Sequence, residues 1–397
     1  MKYIAVLFIC ALVSACEMTE QREHYENDLL KWKGSYKSDQ RHGEWIEYHN
    51  NGQVYLKGNF KNGQKTGEWI YYNEHGQIEH KENFEEGLIT GESRSYYNGK
   101  VISIIKYKDG QRNGEAVRYY KNGEIKSREN YKDNQRHGES VQYHKNGKVS
   151  SRWSFENGKQ VGESIEYYNN GKVRHKQYFK DGRRHGEWVK YYKNGDIQSE
   201  LKIKDGRKHG EWIEYSKNGV LKSKVNTKNG KKHGEQVSYY ANGKVRASAT
   251  FEYGKQVGES IGYYESGKIK FSVTFKNGEQ AGELVDYYES GEVNLKVNMK
   301  NGKMDGELVE YYESGEVKSK VNMKNSRMNG EKVWYYKNHT LKKTVYYKND
   351  RKHGAWIEYY ENGELKEKGN FDHGEKVGLW KECKDGRCTK LYYRKKQ

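Results

Sequence analysis

The chain has 397 residues and a net charge of +18, with 33% hydrophobic and 14% aromatic residues. So low an apolar share excludes large two-sided cores, and abundant aromatics with modest charge per residue exclude a disordered chain, which pairs high net charge with few aromatics. There are 44 glycines and 37 tyrosines but no proline; average usage would give roughly 20 prolines, so few backbone N–H groups can be spared.

Residues 1–15 read as a signal peptide: Lys2, an apolar run from Ile4 to Val13, then Ser14 and Ala15 before Cys16. A membrane-spanning helix needs about 20 apolar residues, and this run is half that, the length of a secretory hydrophobic region. Val13-Ser14-Ala15-Cys16 resembles a bacterial lipobox, in which the cysteine becomes the acylated first residue; a plain secretory peptide with a chance cysteine is the other reading. Glu17 rather than aspartate follows Cys16, which by the same resemblance implies the outer rather than the inner membrane. Residues 16–31 are polar and are expected to act as a tether.

Residues 32–390 are one repeated pattern. A glycine recurs from Gly43 to Gly378 at intervals of 24, except for 23 between Gly91 and Gly114. Counting this glycine as position 0, position 3 is Ile or Val in 13 of the first 14 repeats, Arg94 being the exception, and position 5 is always tyrosine, from Tyr48 to Tyr359. A fixed period in this range means stacked supersecondary units. Two strand-like runs separated by Asn-Gly or Asp-Gly make each repeat a pair of antiparallel strands with hairpin turns within and between repeats. The expected fold is all-β, an elongated antiparallel β-meander of about 15 tandem two-stranded repeats, with about 30 strands spanning about 140 Å.

Turn length follows from parity. Two-residue loops would put positions 3 and 5 on the face opposite position 11. Three-residue loops ending in a left-handed glycine place 3, 5, 11 and 17 together. The expected inner face of the repeat at Gly162 is therefore Ile165, Tyr167, Val173 and Phe179. Positions 2, 4, 6, 12 and 14 face outward. On this register position 4 faces position 12, setting Glu166 opposite Arg174, Glu214 opposite Lys222, Glu310 opposite Lys318 and Glu358 opposite Lys366.

Near the C-terminus lies Cys383-Lys384-Asp385-Gly386-Arg387-Cys388. A two-residue Asp-Gly turn sets the two cysteines directly opposite, at about 4.5 Å between α-carbons, within reach of a disulfide in an oxidising compartment. Two free thiols are the alternative, and a zinc site lacks further ligands. Residues 391–397 form a basic tail.

The stretch FKDGRRHGEWVKYYKNG (179–195) resembles the MORN repeat in its bacterial variant form, and the likeness recurs along the array. The second glycine that ordinary MORN units carry two residues after position 0 is replaced by Trp, Ser, Ala, Leu, Gln or Lys. The resemblance implies a scaffold for protein binding or membrane association. Bacterial variants of this kind also carry an antitoxin label, which implies a toxin-binding inhibitor.

No Ser/His/Asp or Cys/His group stands apart from the period, and no phosphate-binding loop is present, so the chain is expected to be no enzyme and to need no cofactor. His42, His137, His185, His209, His233 and His353 share position 23, but like positions in adjacent repeats lie about 9.5 Å apart, too far to share a metal ion. They are expected to pack against turns or meet solvent. The basic balance admits an anionic glycan or lipid as partner, while export argues against nucleic acid.

The candidate contact surface is an outer aromatic row. Position 2 contributes Trp45, Trp69, Trp188, Trp212 and Trp356, and position 6 contributes Tyr168, Tyr192, Tyr240, Tyr264, Tyr288, Tyr312, Tyr336 and Tyr360. Tyr and Trp are enriched at recognition surfaces, although in a single-layer sheet they also cover backbone and pack on lysine stems. The sequence reading is a lipid-anchored interaction scaffold of the cell envelope that binds a protein or surface partner. A toxin-binding inhibitor and a direct binder of anionic lipid or glycan are the alternatives.

Overall fold

The computed structural model describes residues 17–394. Cys10, Cys16 and the signal peptide lie outside the described residues, as does the end of the basic tail. Every regular element described is a strand, 32 in all, in antiparallel sequential hairpins. The chain divides into two compact parts at Asp196. The first runs from β1 (Thr19–His24) to β15 (Arg183–Tyr191), the second from β16 (Ile197–Lys204) to β32 (Arg387–Tyr393).

The strand β1 falls in the segment expected to be a polar tether. It pairs with β2 (Leu30–Lys37), and Tyr25 to Leu29 close the turn, with Asp28 at φ +63°. Thr19 and Asp28 stand where later repeats carry glycine, which is why the pattern is hard to see there.

The repeat at Gly162 shows the common geometry. After β13 (Lys159–Tyr167), Gly171 N–H donates to the Tyr168 carbonyl and Tyr168 N–H to that of Lys172, both at 2.8 Å. This three-residue loop pairs Tyr167 with Val173, the first residue of β14 (Val173–Lys180), as its parity requires. The next pair is Glu166 with His175, so Arg174 at position 12 is an extra, bulged residue.

Between repeats the expectation of a three-residue loop fails. Asp181 and Gly182, at φ +49° and +76°, form a two-residue turn that pairs Lys180 with Arg183, the twist-matched hairpin that Asp-Gly favours. A wider bulge follows, in which residues 185–187 oppose Tyr178 alone between the pairs Gln177–Trp188 and Phe179–Arg184. Gly186 lies in it at φ +77°, a left-handed conformation that costs other L-residues roughly 1–2 kcal/mol. That is the physical reason for the invariant glycine.

The bulge at position 12 also overturns the expected faces. Positions 3, 5 and 11 do share a face, but 13, 15 and 17 swing to the side of position 2, because one inserted residue inverts the alternation. Burial follows the corrected register. Trp45, Trp69 and Trp380 at position 2 are 1%, 1% and 0% exposed, and Val297 and Val345 at position 15 are 1% exposed. Ile165, Tyr167 and Val173, expected inside, are only half-buried. In the second part, Val273, Val297, Met299, Leu308 and Val321 form one buried cluster; full burial of such a side chain contributes about 1.5–3 kcal/mol.

Forty of the glycines have positive φ. The other four, Gly34, Gly58, Gly262 and Gly369, lack it and lie under aromatic rings: a β-carbon would stand 2.0 Å from Trp45, 2.2 Å from Trp69, 2.2 Å from Phe271 and 2.1 Å from Trp380 respectively. These glycines let a ring lie flat on the backbone of a single-layer sheet, which has no second layer to cover it.

Candidate interaction surface

The aromatic row does not form one exposed face. Trp45, Trp69 and Trp356 are buried, while Trp188 and Trp212 are half-buried. In the first part Trp32 stacks on Trp45 at 4.6 Å, and edge contacts run from Trp45 to Phe60 and on to Trp69 and Phe84. In the second, Trp356, Phe371, Trp380 and Tyr393 make a like series. Cations at position 22 cap these rings: Arg41 lies 4.2 Å over Trp45, Lys65 4.1 Å over Trp69, Lys208 3.4 Å over Trp212 and Lys376 4.0 Å over Trp380. Each such contact contributes about 0.5–2 kcal/mol, more as it is desolvated. The tryptophans are thus the core of the sheet rather than a contact surface, because the bulge at position 12 carries them inward.

Apart from the exposed Tyr97, the position 6 tyrosines are half-buried, and most bind backbone. The hydroxyl of Tyr168 donates to the carbonyl of Tyr191 at 2.8 Å. Tyr240, Tyr264, Tyr288, Tyr312 and Tyr336 do the same to the position 5 carbonyl of the next repeat at 2.6–3.0 Å, and Tyr360 reaches Cys383 O at 3.0 Å. Where histidine replaces tyrosine the link persists: Nε2 of His144 meets Tyr167 O at 3.1 Å. Tyr192 also has a partner. A parallel ladder joins position 8 asparagines to the next turn, as in Asn170 to Lys193 O at 3.1 Å. Sequence reasoning missed this role, although a phenol fixed beside a turn at a 24-residue period is its trace.

Charge is organised differently from the expected pairing of positions 4 and 12. Position 4 faces position 13, so Glu214 and Glu310 lie opposite Ser223 and Ser319, and Glu358 lies opposite Glu367. The bulged cation still reaches back in places, with Lys366 2.9 Å from Glu358 and Arg174 3.8 Å from Glu166. The recurrent pair in the first part is position 1 with position 14: Glu115–Arg128 at 2.7 Å, Glu68–Lys81 and Glu139–Arg152 at 3.5 Å, and Glu163–Lys176 at 3.8 Å. This gives the repeated glutamate a role that its frequency alone did not disclose. One acid is deeply buried: Glu129 takes Tyr131 Oη at 2.6 Å, Arg118 at 3.2 Å and Arg136 at 3.5 Å.

Several turns between repeats set cations opposite one another, while in the second part Glu252 faces Lys255, Lys276 faces Glu279 and Asp372 faces Glu375. In the second part Lys204 faces Arg207, Lys228 faces Lys231, Lys300 faces Lys303, Lys324 faces Arg327 and Lys348 faces Arg351 directly across the ladder. Like charges directly opposite are destabilising, and these five turns concentrate positive charge. At the end of the same part, Asp385 and Gly386 form the two-residue turn that sets Cys383 opposite Cys388, and the two are disulfide-bonded with α-carbons 4.0 Å apart.

A single-layer meander of 24-residue hairpin units, linked unit to unit by side chains, defines a β-repeat scaffold. The sequence matches the MORN repeat variant family over residues 41–62, 65–86, 112–133, 136–157, 160–181, 184–205, 208–229, 232–253, 256–277, 304–325 and 352–373, more than half of the chain. The protein belongs to that family, whose repeats are non-catalytic scaffolds for protein or membrane interaction. No curated protein matches it. Among solved structures it is similar to TcdB2-TccC3 at 15% identity, over 91% of this chain and 20% of that one, with a TM-score of 0.16. A porin-like protein from Bacteroides uniformis matches at 10% identity, over 66% of this chain and 91% of that one, also at 0.16. The chain thus spans about a fifth of the first of these proteins, and at such TM-scores neither bears on its function.

Proposed function

We propose that the protein is a non-enzymatic repeat scaffold, anchored through acylated Cys16 in the bacterial envelope, that docks an extended acidic protein along the turns between its repeats. The observation that carries the reading is the set of five facing cation pairs, Lys204–Arg207, Lys228–Lys231, Lys300–Lys303, Lys324–Arg327 and Lys348–Arg351, a recurring charge pattern that gains most from a partner with many weak sites. The outer membrane is the favoured site, since Glu17 follows Cys16.

The same cations favour a second reading, direct binding of an anionic glycan or lipid surface. Cross-linking in intact cells followed by recovery of the full chain distinguishes the two: a recurrent protein adduct lost in Lys300→Glu/Lys303→Glu supports protein docking. Salt-sensitive retention on anionic vesicles with no protein adduct supports the surface reading, and the absence of both results overturns both readings. For anchoring, Cys16→Ala is expected to release the chain from the membrane fraction and abolish acyl labelling; unchanged fractionation overturns the tether.

A further inference from the structure

The repeat places position 23 beside position 19 of the turn that closes the following repeat. His42 Nδ1 lies 3.5 Å from the backbone nitrogen of Asn62, and the His233 ring lies 4.7 Å from that of Tyr253. At His353 the neighbour is a second imidazole, His373, with rings 5.6 Å apart. Position 18 also departs from Lys or Glu there, being Asp372. We propose that His353, Asp372 and His373 form a binding site for a divalent transition-metal ion of the zinc class.

The geometry fits. The ligating atoms of the three residues lie within 4.8 Å of one another. His353 Nδ1 and Asp372 Oδ1 are 3.4 Å apart, and metal bonds of about 2.0–2.1 Å in a tetrahedron leave about 3.3 Å between ligand atoms. The third atom, His373 Nδ1, hydrogen-bonds Asp372 at 2.6 Å. Its side chain is exposed, so the ring turns outward to admit an ion without disturbing the sheet. His353 Nδ1 is buried and makes no hydrogen bond. The same nitrogen is unpartnered in His137 and His233, whose neighbouring turns hold Asn157 and Tyr253 in place of a second imidazole. At His137 and His233 the site is therefore a niche with one ligand, and the last full repeat adds the other two.

The surroundings select the ion. Arg327, Lys348 and Arg351, with the single carboxylate of Asp350, line the same hollow of about 480 Å³. Mg²⁺ prefers oxygen ligands in octahedral geometry, which two imidazoles do not supply, and the three cations disfavour ions held by charge alone. Imidazole binds Zn²⁺, Ni²⁺ or Cu²⁺ through donor bonds, and the cations then favour an anionic fourth ligand. Histidines at position 23 of adjacent repeats lie too far apart to share an ion, whereas this set combines positions 23, 18 and 19 around one turn.

The test is equilibrium dialysis of the full chain against Zn²⁺ with metal analysis, repeated on His373→Asn, which restores the residue found at position 19 in several other repeats and so retains the turn. The wild type is expected to hold one ion more tightly than the variant by at least tenfold. His353→Gln is expected to lose the same site, His233→Gln to keep it, and excess Mg²⁺ not to displace the ion. Equal Zn²⁺ binding by wild type and His373→Asn, or a loss in His233→Gln as large as in His353→Gln, overturns the assignment.

Discussion

The hydroxyl of Tyr264 stands 2.6 Å from the carbonyl oxygen of Tyr287, one repeat further on. That contact ties a turn to the strand end of the next hairpin, where the sheet's own ladder has stopped. Tyr264→Phe removes the donor and leaves the ring. With net hydrogen-bond contributions of about 0.5–1.5 kcal/mol, the variant is expected to unfold at lower denaturant with an unchanged transition slope. Ser216, which carries no phenol at this position and bonds Val220 O within its own turn, marks a place where installing tyrosine should raise the midpoint. An equilibrium urea titration reads both changes.

Glu129 gives the first part an acid-sensitive point. Burial raises its pKa, but the hydroxyl of Tyr131 and the guanidinium groups of Arg118 and Arg136 outweigh that and hold the carboxyl below the usual carboxylate range. A depressed folded-state pKa contributes stability that is complete above the unfolded value, about 4.3, and is lost as pH falls through the lower folded value. Glu129→Gln is expected to cost about 1.5–3 kcal/mol at neutral pH, the worth of hydrogen bonds to a charged group. The gap between wild type and variant should close below pH 4 in parallel melts, and a constant gap would exclude the linkage.

Gly58 carries a packing role and no unusual backbone. Its added β-carbon meets atoms of the Trp69 ring at 2.2–2.6 Å, so Gly58→Ala must lift the indole off the sheet. Overpacking of this kind costs about 1–3 kcal/mol, and the displaced Trp69 also leaves Lys65, now 4.1 Å above its ring. The expected signature is a red shift of tryptophan emission together with a lower melting temperature. Ala at Gly63, whose φ is +79° and whose β-carbon would meet only Gln40 Cβ at an ordinary 3.9 Å, should destabilise without moving the emission.

His339 occupies a turn position that is glycine in most other repeats, at φ +65°. His339→Gly relieves about 1–2 kcal/mol of left-handed strain and adds about 0.5–1 kcal/mol of unfolded-chain entropy, for a net gain of about 0.5–1 kcal/mol in the melt. Asp350, at φ +68°, behaves differently because its carboxylate accepts the Met328 N–H at 2.7 Å. Asp350→Gly loses that bond and is expected to gain nothing.

Architecture was legible because turns advertise themselves: Asn170-Gly171 and Asp181-Gly182 mark both hairpins, and Cys383 opposite Cys388 follows from Asp385-Gly386. Sidedness was not legible, since it hangs on Arg174, one bulged residue that no propensity distinguishes from an ordinary strand residue. That single misplacement moved Trp45 and Trp69 from the surface to the core and Glu166 from Arg174 to His175. The tyrosine ladder escaped for a related reason: Tyr168 looks like a recognition residue until the neighbouring turn is placed under its hydroxyl. The meeting of His353 with His373 depends on the same stacking, which links different positions of the repeat that a comparison of like with like passes over.

The side-chain ladder has a fixed reach. The hydroxyl of Tyr312 and its partner carbonyl are 23 residues apart, as are those of Tyr25. Ordering one hairpin on its neighbour therefore closes a loop of the same size wherever in a part it occurs. Loop closure grows more costly with the logarithm of length, and folding slows as contacts become more distant in sequence. Lengthening such a chain by further copies leaves the conformational search for each copy unchanged, so its folding time need not grow with its size as it does for a barrel or sandwich of equal mass.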